Sequence, residues 1–295
     1  MHENTSTFFF ICNMYLKKKC SFTSYNLNHS ISGLLMVALG RSNSGDRSDL
    51  CEVINMADST SSCNNLPVYP LPLDASTGQV VNSLPIIAGG QSDSTVSNVY
   101  KFDKQSNSWL SLGNLKTARN QHSSTVLNDA LWVIGGTNAD VTGYLKSTEL
   151  VYPNGTITSG PDLPTPRGRQ CSIQSEDGKI IIIGGTTSTS DTNLKVTTIY
   201  DPETSTYTDG PDMLFDHENF GCAIFFSKKH GGRPVVLSAG GAGGSKAEIF
   251  DYTQENVTWE ESKYLSANNY LNCIGSTFSS YIMQGGASEW RVHSH

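Results

Sequence analysis

Asp212, Asp216, His217 and Glu218 fall within the nine-residue stretch DMLFDHENF. Histidine and carboxylates at that density are the raw material of a metal or acid–base site. The stretch has no H-x-x-H or H-E-x-x-H pattern and no second histidine nearby. Copper and zinc sites ordinarily need one, so a solvated loop is the favoured reading. His122, three residues after Arg119 in RNQHSST, is the next candidate. It would either line a channel mouth or serve as a buried, hydrogen-bonded structural residue, and the second use is the commoner one. Seven cysteines (12, 20, 51, 63, 171, 222 and 273) contain no C-x-x-C pair, which leaves a zinc ribbon or thioredoxin-like motif unsupported. No G-x-S-x-G elbow, phosphate loop or dinucleotide fingerprint is present.

These residues need a scaffold, and composition limits it. The chain has 295 residues, 27 of them glycine, with 16% charged and 9% aromatic residues. That balance describes a turn-rich β protein. The formal net charge is −7 and no basic stripe exists, which argues against nucleic acid. No run reaches the ~18 apolar residues of a membrane span. The lysines at 17–19 follow the apolar FFFICNMYL instead of preceding it, so a signal peptide is not supported there and the compartment, cytoplasmic or secreted, stays open.

The organising feature is a repeat. Apolar runs end on Gly89-Gly90, Gly135-Gly136, Gly184-Gly185, Gly240-Gly241 and Gly285-Gly286, at spacings of 46, 49, 56 and 45 residues. Gly40 closes LLMVALG one step earlier, with Arg41 in the place of a second glycine. A period near ~50 belongs to propeller-type arrays. After each pair come a polar loop, then a strand ending in an aromatic and an acid (VYKFD, TTIYD, AEIFD), then Trp109, Tyr207 or Trp259, then a Pro-containing link. Each repeat therefore reads as four short strands a to d, with the pair at the end of b. By this register ISGLLMVALG is a strand of the first repeat. Cys171, Cys222 and Cys273 take equivalent strand-a positions, expected ~10 Å or more apart around an axis, and read as buried free thiols. Cys51 and Cys63, on neighbouring strands, are a possible cross-strand pair only in a secreted protein.

The pairs in register with the strand-c and strand-d aromatics resemble the kelch-repeat family over roughly residues 34 to 290. The resemblance implies an all-β propeller of about six four-stranded blades, the first and last incomplete. The domain reading is an N-terminal extension over 1–24 with no place in the repeat, expected to be disordered, followed by the propeller over 25–295. Repeat three departs in carrying Ile157 for the strand-d aromatic. The resemblance also implies a non-catalytic protein-binding module with no cofactor, whose partner the sequence does not identify. Two alternatives accompany it: a secreted carbohydrate-binding or galactose-oxidase-like propeller, and the substrate-recognition part of a cullin-type ubiquitin ligase adaptor. Neither the histidine–tyrosine–cysteine set of the first nor the helical domains of the second is visible. The long b–c loops and the d–a links emerge on one face, which makes that face the candidate partner surface. Arg119, His122, Arg167, Arg169, Asp216 and His217 are its candidate residues. The hairpin FFSKKHGGRPVV adds a basic patch on the other face. Sequons stand at Asn4, Asn28, Asn154 and Asn256, about as many as chance supplies in a chain so rich in Ser, Thr and Asn.

Overall fold

The computed structural model describes residues 7–16, 33–42, 45–55, 64–138, 143–187, 193–241, 246–255, 257–262, 274–275, 281–285 and 290–294. Apart from a 3-10 turn at Lys228–His230, their regular structure is strand. The first sheet holds β1 (Thr7–Leu16), β2 (Gly33–Ser42), β3 (Arg47–Asn55) and β4 (Asn64–Asn65). Four-stranded antiparallel sheets follow in chain order: β5 (Thr77–Val81) to β6 (Leu84–Ala88), β7 (Asn98–Asp103) and β8 (Ser108–Asn114); then β9 (Ser123–Leu127), β10 (Ala130–Ile134), β11 (Thr148–Val151) and β12 (Ile157–Ser159). The fourth has β13 (Cys171–Gln174), β14 (Ile180–Ile183), β15 (Thr197–Asp201) and β16 (Thr206–Asp209), and the fifth β17 (Gly221–Ser227), β18 (Arg233–Ala239), β19 (Ala247–Phe250) and β20 (Glu260–Glu261). Then β21 (Ile274–Gly275) joins the edge of the first sheet against β1, while β22 (Tyr281–Gly285) pairs with β23 (Trp290–Ser294). This is the four-stranded blade pattern of a β-propeller, and among the described residues the last sheet holds β22 and β23.

The apolar runs of strand b follow from burial on both faces. Ile180 and Ile182 pack with Trp132 and Ile134 toward the third sheet, while Ile181 and Ile183 pack with Ile224 and Val236 toward the fifth. Side chains alternate along a strand, so a sheet clamped between two neighbours needs apolar residues at every step. A strand-d aromatic closes three of the seams, while Ile157 takes that place in the third blade. Trp109 Nε1 donates to Pro67 O at 3.0 Å, Tyr207 Oη to Pro161 O at 3.0 Å and Trp259 Nε1 to Pro211 O at 3.2 Å. In each case the aromatic of one blade reaches the link leaving the blade before. The acid after the strand-c aromatic holds the c–d turn. Asp103 accepts the Ser106 N–H at 2.9 Å and Asp201 the Glu203 N–H at 2.9 Å.

The glycine pair joins blades through its backbone. The second glycine donates across the seam: Gly90 N–H to Arg119 O at 2.8 Å, Gly136 to Arg167 O at 2.9 Å and Gly185 to His217 O at 2.9 Å. Gly136 has φ +94°, and a Cβ there would lie 2.6 Å from Asn120 O. Both the left-handed backbone and the close approach exclude a side chain.

Three expectations change. In the first sheet Gly40 N–H donates to Leu73 O at 2.9 Å, the bond made elsewhere by the second glycine. Gly40 is thus the second member of its pair, and buried Leu39, at φ +66°, stands in for the first. The repeat gives residues 1–24 no place, yet Thr7–Leu16 lies beside β2, paired parallel to it. Third, Cys171 and Cys222 form a disulfide, with Cα atoms 6.0 Å apart. The a strands converge more closely than the expected ~10 Å. Gln79 Nε2 reaches Ser124 O at 3.1 Å and Gln170 Nε2 reaches Ser123 Oγ at 3.2 Å across the same kind of gap. Cys273, Cys63 and Gly286 lie outside the described residues.

Gly136→Ala is expected to lower unfolding free energy by about 1 to 3 kcal/mol for the left-handed backbone alone, and by more with the steric overlap. Urea denaturation followed by tryptophan fluorescence measures it. An unchanged midpoint would show that the pair does not fasten the blades.

Candidate interaction face

Four described links into a strand a end in four residues that occupy matching places: Leu73–Ser76, Arg119–His122, Arg167–Gln170 and His217–Phe220. Their third residues form a backbone chain around the mouth of the ring. Gln121 N–H donates to Ala75 O at 3.0 Å, Arg169 to Gln121 O at 2.7 Å and Asn219 to Arg169 O at 3.1 Å. All four hold left-handed φ values, from +51° at Ala75 to +57° at Arg169. That conformation is strained for non-glycine residues. It is held because each member is hydrogen-bonded to at least one neighbour in the chain. The mouth is therefore a rigid rim.

The first residues of these links do not face a partner. Arg119, Arg167 and His217 have relative exposures of 0%, 2% and 1%. Arg119 is fully engaged: Nη1 donates to Gly135 O and Ser147 O, both at 2.8 Å, and Nη2 to Glu149 Oε1 at 2.9 Å. Glu149 also accepts the N–H groups of Lys116 at 2.6 Å and Thr117 at 3.0 Å, which pins the link to its blade. His217 repeats the scheme. Its Nδ1 lies 2.8 Å from Gly240 O, its Nε2 3.0 Å from Glu248 Oε1, and Glu248 accepts the Leu214 N–H at 2.7 Å. In the second blade the corresponding residues are Leu73 and Tyr100, both in one apolar cluster.

Arg167 breaks the pattern. Its blade has Thr198 where the others have Glu149 and Glu248, and Pro164 where Lys116 offers an N–H. The guanidinium donates Nη2 to Thr198 Oγ1 at 3.1 Å, while Nε and Nη1 have no hydrogen-bond partner. Burial pulls its pKa below the ordinary arginine value. A buried cation so weakly partnered is costly.

His122, the fourth residue of its link, is also buried, and its Nε2 lies 3.0 Å from Ala88 O. Gln170, one blade on, makes the same bond to Ile134 O at 2.8 Å. Burial, helped by the Arg119 charge, pushes the His122 pKa down to about 3, so the imidazole is neutral at ordinary pH.

Two of the six candidates do reach the face. Asp216 is exposed, and Arg169 is partly exposed on the rim. Arg169 Nη1 donates to Glu218 Oε2 at 2.6 Å and Nε to Gln121 Oε1 at 3.2 Å. The acidic stretch is thereby divided: His217 turns inward to Glu248, Glu218 turns to Arg169, and Asp216 faces water. Among the described residues no group of three or more His, Cys, Asp or Glu could hold a metal ion. Sequence reasoning missed Gln121, Glu218 and Asn219 as rim residues; their shared step in the repeat was the signal. On the opposite face three of the four basic residues of the hairpin lie against carboxylates. Lys229 and His230 each lie 2.8 Å from Glu260, and Arg233 lies 2.8 Å from Asp251.

With this geometry in hand, comparison with known proteins is informative. A model of the Kelch motif matches residues 167–214, one full repeat. Beta-scruin of Limulus polyphemus is 26% identical over 212 residues, which make up 67% of this chain and 21% of scruin. An F-box/kelch-repeat protein of Arabidopsis thaliana is 29% identical over 168 residues, 53% of this chain and 44% of its own. This chain thus spans about a fifth of the length of the scruin it matches. The solved structure of YjhT superposes with a TM-score of 0.70 at 12% identity, covering 96% of this chain and 99% of that one. The shared feature at that identity is the fold.

Glu149→Ala should cost about 3 to 5 kcal/mol, since it strands a buried arginine. Thr198→Glu should instead raise stability by about 1 to 3 kcal/mol by supplying Arg167 with its missing partner. Urea titrations of both variants test this, and a destabilising Thr198→Glu would refute the assignment. The folded pKa of His122 lies below its unfolded value of about 6.5. Its contribution is therefore complete above that pH and is lost as pH falls toward 3, at up to ~1.4 kcal/mol per pH unit. His122→Gln, which copies the native Gln170, should flatten that loss in a pH series of thermal melts.

Proposed function

We propose that this chain, a kelch-repeat β-propeller, is a non-catalytic protein-binding module whose partner docks on the rim formed by the b–c loops and the d–a links. The rigid rim carries the reading. A chain of three backbone hydrogen bonds holds Gln121, Arg169 and Asn219 in place, with the Arg169–Glu218 pair and the exposed Asp216 beside them. A fixed rim of mixed charge and amide groups suits a polar protein surface, because little order must be imposed on binding. The buried histidines and arginines support the same reading. They hold the blades together, and their side chains face the interior rather than a cleft.

The test is affinity capture with the propeller, repeated with Arg169→Glu and Asp216→Lys, and with Lys229→Glu on the opposite face as control. The rim variants should weaken capture by about tenfold or more, near 1.4 kcal/mol, while the control leaves it unchanged. Circular dichroism confirms that each variant is folded. If both rim variants retain every partner at full strength, the docking face lies elsewhere.

A further inference from the structure

Two features of the third to fifth blades have no part in the docking rim: the Cys171–Cys222 bridge and the turn at Asn154. We propose that the protein matures in an oxidising secretory compartment and carries an N-linked glycan on Asn154.

The bridge supplies the compartment. Cys171 and Cys222 are 51 residues apart in sequence and stand at the starts of the a strands of adjacent blades, first in β13 and second in β17. Both are buried, in one apolar cluster with Ile173, Phe220 and Ile224. A disulfide sealed in the core forms during folding, by exchange with the disulfide of an oxidant. The two thiols give up two protons and two electrons, and the oxidant leaves as a dithiol. Such bridges persist where the surroundings are oxidising, and a buried position is not that of an exposed redox sensor. Buried Cys51 is compatible with this. Cys51 is free and buried, and burial raises its pKa to about 12. It has no thiolate with which to attack the bridge.

The turn supplies the acceptor. Asn154-Gly155-Thr156 is a sequon at the tip of the β11–β12 turn, with Asn154 and Thr156 both exposed. The corresponding turns are held by Asp103 and Asp201 at the end of strand c. Here Asn154 does that work: its Oδ1 accepts the Thr156 N–H at 2.9 Å, and Gly155 takes φ +91°. The carboxamide oxygen is thus engaged within the turn, and the nitrogen lies on its other arm. In the transfer, Asn154 Nδ2 bonds to C1 of an oligosaccharide carried on a polyprenyl diphosphate. The bond from C1 to the diphosphate oxygen breaks, the diphosphate leaves with the electron pair, and Nδ2 releases one proton. The c–d turns open on the face opposite the rim, so a glycan at Asn154 leaves docking unobstructed. Asn256, the sequon of the fifth blade, lies outside the described residues.

The experiment uses the full chain captured by antibody from the cells that make it. One sample is digested without reductant. A second is treated with peptide-N-glycosidase in heavy-oxygen water before peptide mass spectrometry. The expected results are a Cys171–Cys222 linked peptide and conversion of Asn154 to heavy-oxygen-labelled Asp. In cells expressing Thr156→Ala, which removes the sequon but keeps the bond from the backbone N–H of residue 156 to Asn154 Oδ1, the glycan mass is lost. An Asn154 peptide recovered without label would overturn the glycan, and alkylation of Cys171 and Cys222 without prior reduction would overturn the compartment.

Discussion

The amide of Gly136 donates to the carbonyl of Arg167 across the seam between two blades, and the same bond recurs from Gly40, Gly90 and Gly185. Much of the remaining structure follows from it. Two backbones can meet this closely only where one lacks a side chain. This is why an apolar strand ends on glycine and why the ending repeats. The carbonyl that receives the bond must be held in place, and the side chain of its own residue does the holding. Arg119 clamps Gly135, Ser147 and Glu149; His217 clamps Gly240 and lies against Glu248. Each residue thus fixes its own blade with its side chain and its predecessor with its backbone.

This double use explains why the residues best suited to chemistry are not at the surface. Arginine, histidine and glutamate occupy one slot in the repeat, where they satisfy link amides and strand-end carbonyls that would otherwise be buried without partners. The second blade fills the slot with Leu73 and Tyr100, so a polar pair is one solution and an apolar pair another. The fourth blade combines Arg167 with Thr198 and Pro164, which leaves its guanidinium under-satisfied. The next layer outward, the rim of Gln121, Arg169 and Asn219 with Glu218 and Asp216, is the docking face proposed above.

The period, the strand assignments and the family resemblance were legible in sequence because burial on both faces produces unbroken apolar runs such as IIII, and because the glycine and aromatic positions tolerate few residue types. The register of the first repeat was not, since Leu39 holds the left-handed backbone that glycine marks elsewhere. The inward direction of Arg119 and His217 was also hidden, because their carboxylate partners lie about thirty residues downstream. The recurring Glu at the second residue of TELV and AEIF was the one trace of them. The Cys171–Cys222 bridge depends on how far the innermost strands converge, a three-dimensional quantity with no local signature. Of the six proposed surface residues, Arg169 and Asp216 reach the face and the other four serve the scaffold.

The seam bond itself is most directly tested by native-state hydrogen exchange at the amides of Gly90, Gly136 and Gly185. If these bonds fasten the ring, all three exchange only through global unfolding, with the same opening free energy as the strand-b amides of Ile182 and Val133. Exchange at the rate of exposed loop amides would contradict the account, since the blades would then be held by side-chain packing alone.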